Sequence, residues 1–398
     1  MADLPDEVLC LIFELLPTGT LGIASRTSRQ WYACCPPQYR RKLSVPTVCS
    51  SEGLLRWARS NGYRLSASTC AAAAAQGSLE VLLLARQVLC CPWDEQTCSM
   101  AALNGHWEVL KWAREWGCPW DQQTCSGVAS NGNLEMLKWA RYERCPWDIQ
   151  TPIKAAEKGH LEVLQWSLNN GCPCDAEQTL NSAAAHGHLQ VLQWLRDKEY
   201  PWNDWLCSSA ALNGHLTVLK WAVAGGCPFN NWLPVGAAAG GHLEVVKWAL
   251  EEGGWAWDPW ISYSAADHGQ VAVLQWAHLE QGYPWDVQTS HRAAGFAQWE
   301  VLLWIKQHIK GEDVKWDETT CSRAAFNGHL EVLKWLHEQG CLWDALTCSN
   351  AAASGHLEML QWARANGCPW DKRTCEEALR KNHMQVLKWA RAEGCPWE

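Results

Sequence analysis

Cysteine, histidine and carboxylate side chains recur in this sequence at spacings that could hold a metal or activate water. Cys91 and Cys98 are separated by six residues, and the spacing returns at Cys118–Cys125, Cys341–Cys348 and Cys368–Cys375. The triplet H-L-E recurs as well, at His160/Glu162, His242/Glu244 and His329/Glu331. A His-x-Glu pair ahead of P-C-x-x-C would supply a zinc-activated water and a general acid–base for hydrolytic deamination. No P-C-x-x-C is present. Zinc ligands also usually lie two to four residues apart with a second pair nearby, which C-x6-C does not offer. The sequence lacks H-E-x-x-H, G-x-G-x-x-G, a P-loop and G-x-S-x-G. A reactive motif written many times over is not one active centre. The expectation is a chain that is not an enzyme and takes no cofactor and no metal. Its thiols then act as small buried hydrophobes of a reducing compartment, with metal or redox chemistry as the alternative.

These residues are positioned by a phrase that recurs from Cys91 on: C-P-W-D-x-x-T-C-S-x-A-A-x-x-G-H-L-E-V-L-K-W-A. Its second tryptophan marks the register at Trp112, Trp139, Trp166, Trp194, Trp221, Trp248, Trp276, Trp304, Trp335, Trp362 and Trp389, with gaps of 27, 27, 28, 27, 27, 28, 28, 31, 27 and 27 residues. Units of this length cannot bury their apolar faces alone and must stack, so the fold class is an all-α solenoid of helix-turn-helix repeats. A chain built this way presents a long surface, which points to binding.

In the unit at Trp93, Asp94 is placed to N-cap helix A, which runs through Cys98, Ala101 and Ala102 and stops at Gly105. Those three positions form a face of small side chains. Helix B starts at His106, whose side chain is expected to order its first turn through a backbone hydrogen bond. Val109, Leu110, Trp112 and Ala113 take its buried side, and Gly117 closes it in the left-handed conformation. Two tryptophan columns, the one on helix B and the one in the C-P-W turn, read as mortar between units. Recognition of a carbohydrate or a cation is the functional alternative. A third face of helix A carries Gln96, Met100 and Leu103 at i, i+4 and i+7. Down the repeats its columns vary where their neighbours stay fixed. Lys154, Arg292, Arg323 and Asn350 align with Met100, and Glu157, Leu212, Asp267 and Phe326 align with Leu103. Positions constrained by stacking repeat themselves, whereas positions facing a partner need not. These eleven residues are the candidate partner-binding set, with tolerant solvated sites as the other reading.

A net charge of −9 over 398 residues argues against a nucleic-acid footprint. The opening MADLPDEVLCLIFELLP has acids in its apolar run and no basic leader, so it is not read as a secretory signal. No stretch approaches the roughly 18 uninterrupted apolar residues of a membrane span. The expectation is a monomer inside the cell, in cytoplasm or nucleus, that binds neither nucleic acid nor membrane.

The run T-C-S-M-A-A-L-N-G-H-W-E-V-L-K-W resembles the ankyrin repeat, and the resemblance covers residues from about 44 to 398. Ankyrin units run about 33 residues. The residues missing here fall where ankyrins build a β-hairpin finger. Finger-less, tryptophan-rich units of this kind resemble those of large DNA viruses and some protists. The resemblance implies that helix A lines the concave side of the stack. The first segment, L-P-D-E-V-L-x-x-I-F-x-x-L-P followed by S-R-x-W, resembles the F-box. That resemblance implies a small helical module that docks on a Skp-type adaptor of cullin–RING ubiquitin ligases, here through Leu4, Pro5, Val8, Leu9, Ile12 and Phe13. The other reading is a helix that only caps the solenoid. The expected organisation is a module at 1–43, degenerate capping repeats at 44–90, and the solenoid at 91–398 with a polar cap from about 368. Together the resemblances imply a substrate receptor of a ubiquitin ligase that holds an unidentified target protein, within the host cell if the chain is viral. A scaffold or decoy without ligase recruitment is the alternative.

Overall fold

The computed structural model describes Val45, Cys49 and residues 51–60, 64–309 and 316–397. The F-box-like module expected at 1–43 lies outside the described residues. All regular structure among the described residues is helical. α1 spans Glu52–Ser60, α2 Ala67–Ala75, α3 Leu79–Leu83, α4 Glu95–Leu103, α5 Trp107–Glu115, α6 Gln122–Ser130, α7 Leu134–Tyr142, α8 Gln150–Glu157 and α9 Leu161–Asn169. Next come α10 Ala176–Ala185, α11 Leu189–Asp197, α12 Asp204–Leu212, α13 Leu216–Ala224, α14 Leu233–Ala239, α15 Leu243–Glu251, α16 Trp260–Asp267 and α17 Val271–Gln275. α18 Val287–Gly295, α19 Trp299–His308, α20 Glu318–Phe326, α21 Leu330–Glu338, α22 Ala345–Ala353, α23 Leu357–Ala365, α24 Lys372–Arg380 and α25 Met384–Ala392 complete the series. From α2 on, even numbers are A helices and odd numbers are B helices.

Local chemistry starts and stops each helix. Asp94 Oδ1 accepts the Gln96 amide at 3.1 Å, and Asp121, Asp148, Asp286, Asp344 and Asp371 cap their helices the same way. Helix A ends where Gly105 turns left-handed at φ +74° and the His106 amide bonds Ala101 O. Helix B ends at Gly117, φ +79°, where the Cys118 amide reaches back to Ala113 O.

The small residues of the A helices are the stacking surface. Ala101, Ala102, Cys98 and their counterparts are fully buried, so α4 packs between α2 and α6, and α6 against α8. From α12 to α24 each A helix again packs on the next A helix. Val109, Leu110 and Ala113 on helix B are buried as expected. Each fully buried leucine contributes about 1.5–3 kcal/mol. By their contacts the described residues form two compact units. One runs up to Ala183 and includes Gln190–Glu199; the other holds Ala184–Leu189 and the residues from Tyr200 on.

Two expectations are corrected. Trp112 and most helix-B tryptophans are half-buried; only Trp248, Trp276 and Trp304 are buried. They pair edge-to-face with the turn tryptophan of their own unit, Trp93 with Trp112 at 5.9 Å and Trp120 with Trp139 at 5.7 Å. These pairings lie within a unit; the turn tryptophans also meet helix B of the unit before, as Trp120 meets Arg114, and the small A-helix faces carry the stacking between units. Second, the His106 side chain does not cap its own helix. Its Nε2 meets Ala75 O, the last carbonyl of the preceding A helix, at 3.1 Å. His160 reaches Ser130 O and His215 reaches Ala185 O likewise. Each imidazole seats against the left-handed glycine of the unit before: a Cβ on Gly132 would lie 2.5 Å from His160 Nδ1. Where glutamine replaces histidine, Gln270 and Gln298 donate Nε2–H to Ala239 O and Asp267 O. The amide can only donate there, so the histidine Nε2 carries the proton. The thiols that meet come from successive units. Cys321 and Cys341, twenty residues apart, lie Sγ to Sγ at 2.9 Å. Cys118 hydrogen-bonds with Cys98 and Cys145 with Cys125, and these contacts, followed by burial, hold Cys118 and Cys145 protonated.

One of the 28-residue gaps, Trp276 to Trp304, has a structural cause that the spacing of Leu84 to Trp112 shares. One residue more than usual separates Leu84 from Trp93 and Trp276 from Trp285. α3 and α17 absorb it by continuing into π-helical turns at Leu84–Val88 and Trp276–Glu280.

Candidate functional site

The A helices leave one face to solvent because their other faces are spent on stacking. In the first unit this face is a polar groove with an apolar wall. A cavity of about 410 Å³ is lined by Met100, Leu103, Gly127, Ser130, Lys154 and Glu157, among others. Gly127 makes its floor. A Cβ there would stand 2.9 Å from the Leu103 amide nitrogen, so glycine lets α6 approach α4 closely. Met100 and Leu103 are exposed. Lys154 and Lys158 share the Glu157 carboxylate at 2.6 and 3.1 Å. Burial pushes the Glu157 carboxyl up, but hydrogen bonds from the two lysines outweigh it and the pKa is lowered. The wall therefore carries one uncompensated positive charge. Gln96 is exposed but does not line this cavity.

In the second unit the face is aromatic. Trp205, Trp232 and Trp260 are 65%, 55% and 42% exposed. They sit at the equivalent position of successive units, Trp205 and Trp260 in the first turn of α12 and α16 and Trp232 immediately before α14. The caps there are Asn203 on the Leu206 amide, Asn230 on the Trp232 amide and Asp258 on the Trp260 amide. Trp232 and Trp260 meet edge-to-face at 5.7 Å, and Trp260 meets Tyr263 at 5.5 Å. Arg292 covers Trp260 at 4.6 Å and ion-pairs with Asp267. Burial raises the Asp267 pKa and the arginine opposes it. Leu212 and Phe326 are exposed, and Arg323 is exposed with no ion pair among the described residues. Asn350 is already used: its Nδ2 donates to Ser322 O of the preceding A helix at 3.2 Å.

The structure thus brings Met100, Leu103, Lys154 and Glu157 together around one groove, and Asp267 with Arg292 as a pair. Leu4, Pro5, Val8, Leu9, Ile12 and Phe13 lie outside the described residues. The tryptophan ridge was missed by sequence reasoning, although its signal was present. The Gln96 column, read on through Gln123 and Gln150, turns to Trp205, Trp232 and Trp260 before returning to Gln288. Three adjacent exposed tryptophans are unusual, and Trp, Tyr and Arg are the side chains that dominate protein interfaces.

Comparison with known families agrees with this organisation. The F-box-like family matches residues 1–44, and the family of ankyrin repeats (many copies) matches residues 153–196 and 180–223. No curated protein matches the chain. Among solved structures, the chain is similar to the crystal structure of the pentatricopeptide repeat protein PPR10 in complex with an 18-nt psaJ RNA element. That match has 12% identity over 98% of this chain and 79% of that one, with a TM-score of 0.31. PPR10 from maize gives 13% identity over 99% and 82%, with a TM-score of 0.30. Likeness at that level carries nothing about ligands. The chain has an F-box-like segment followed by ankyrin repeats, and both are protein-interaction modules. It is an interaction adaptor.

Proposed function

We propose that this adaptor is the substrate receptor of a cullin–RING ubiquitin ligase. The observation that carries the reading is the F-box-like match at residues 1–44 ahead of the ankyrin-repeat match at 153–223. In this reading Leu4, Pro5, Val8, Leu9, Ile12 and Phe13 dock on a Skp-type adaptor. The helix-A face holds the target, with the ridge of Trp205, Trp232 and Trp260 as its main anchor. The mechanism is positioning: tethering raises the local concentration of the target beside the ubiquitin-charged enzyme. The chain itself supplies no catalytic group, binds no nucleic acid, and works as a monomer in cytoplasm or nucleus.

The test is capture of a Skp-type adaptor by the whole chain, beside an Ile12→Asp/Phe13→Asp double variant. Capture by the wild type and its loss in the variant are the expected results. A folded wild type that captures no adaptor would leave a scaffold or decoy without ligase recruitment.

A further inference from the structure

In repeat after repeat an arginine covers the tryptophan of the following turn. Arg86 covers Trp93 at 4.5 Å, Arg114 covers Trp120 at 4.4 Å, Arg141 covers Trp147 at 4.0 Å, Arg364 covers Trp370 at 4.2 Å and Arg391 covers Trp397 at 4.9 Å, each from Cζ to ring centroid. The cation comes from helix B, two residues past the register position, and the contact is a cation–π interaction. Two neighbouring repeats withdraw it. Leu250 and His278 occupy the arginine position ahead of Trp257 and Trp285. Among the described residues no cation lies over either ring.

His278 takes the arginine's place against Trp285, ring centroids 4.8 Å apart and edge-to-face, but it brings no charge. One ring nitrogen, Nδ1, lies 2.8 Å from Tyr283 O and so must donate, which leaves Nε2 to accept from the Ser262 hydroxyl at 2.9 Å. Burial lowers its pKa, which keeps the ring neutral.

Between these two turns opens a cavity of about 330 Å³, lined by Trp257, Tyr263, Trp285 and Asp286 with Pro259 and Pro284. Its walls are held in place. Trp257 is stacked on Tyr283 at 3.9 Å, and Asp286 accepts the Tyr263 hydroxyl while its other oxygen caps α18. Arg292 lies 5.4 Å from the Tyr263 ring but is paired with Asp267. Asp258 and Asp286 form no ion pair among the described residues, so the local charge favours a guest cation.

We infer that this cavity receives the guanidinium of an arginine side chain carried by a partner protein. It would bring an intermolecular guanidinium beside turn tryptophans of the kind that Arg86, Arg114, Arg141, Arg364 and Arg391 cover internally. The inference rests on the chain being an interaction adaptor and not on ligase recruitment, and its test shares no component with adaptor capture.

The experiment titrates the whole chain with acetyl-Gly-Arg-Gly-amide and with its lysine and citrulline counterparts. The readout is the indole N–H resonances of Trp257 and Trp285, assigned through Trp→Phe variants. The arginine peptide is expected to shift both resonances saturably. Lysine should bind more weakly, and citrulline, which keeps the shape and loses the charge, should shift neither. Asp286→Asn and Asp286→Ser both keep an N-capping side chain, and each should weaken arginine binding by about fivefold or more. Absence of saturable shifts in the folded chain would overturn the assignment, as would equal binding of citrulline, tighter binding of lysine, or unchanged affinity in both Asp286 variants.

Discussion

Residues 91–172 and residues 228–309 are cut to the same helical pair and filled with different chemistry. In the first stretch thiols close each unit: Cys118, Cys145 and Cys172 donate to Asp94 O, Asp121 O and Asp148 O, each at 3.4 Å. Burial pushes the Cys172 thiol up to about 12, so it stays protonated and inert. In the second stretch there is no cysteine at all. Trp255 and Tyr283 stand where Cys118 stands, and rings take over the packing, with Phe229 against Trp255 at 4.6 Å and Tyr283 against Trp257 at 3.9 Å. The helix-B tryptophans move inward, glutamines take the clasp positions at 270 and 298 while His242 keeps its own, and the arginine over the turn tryptophan is gone. A repeat array stays stable while its spacing and small faces persist. Chemistry elsewhere in the unit is free to change, and the changes gather where the surface becomes aromatic.

The difference can be tested by substitution. The largest expected effect is Trp276→Ala, which removes a ring only 2% exposed and should cost about 3–5 kcal/mol in urea denaturation. Trp112→Ala removes a half-buried ring and should cost about 1–2 kcal/mol. Equal losses would erase the contrast between the two stretches. Next, His106→Ala leaves the Ala75 carbonyl unpaired and should cost about 1–3 kcal/mol. His106→Gln should recover nearly all of it, since Gln270 and Gln298 already make that bond; no recovery would mean that the clasp is not interchangeable.

Trp205→Ala should change stability by no more than about 0.5 kcal/mol, because the ring is mostly solvated. A larger loss would make the ridge structural. The smallest effect concerns Tyr263, whose hydroxyl is pushed up to about 12 by burial and by its bond to Asp286. A raised folded-state pKa means that its contribution is complete below the unfolded value of about 10 and is lost as pH rises through 12. Tyr263→Phe should delete the late phase of the tyrosinate absorbance titration. An unchanged titration curve would show that this hydroxyl ionises with the others.

Much of the local fold was legible. Asp94 followed by an apolar face at i, i+3 and i+4, a left-handed glycine, and a second amphipathic run specify two capped helices with no tertiary information. The clasps were not legible. His106 and Ala75 are 31 residues apart, and Cys98 and Cys118 twenty, so no local pattern pairs them. Of the site, Met100, Leu103, Lys154 and Glu157 emerged from column variation. The tryptophan ridge and the Trp257–Trp285 cavity did not, because they are departures from the repeat and periodicity reports only what recurs.

By itself, then, the sequence determined the unit: its length, its two helices, its caps and the small face on which it must stack. Those depend on backbone geometry and on contacts within one or two turns. Only the tertiary structure decided which groups meet across units, which tryptophans stay half in water, and where rings and carboxylates enclose a cavity. The physical reason is that periodicity says which face seeks cover, while the covering partner is chosen by packing between segments far apart in the chain.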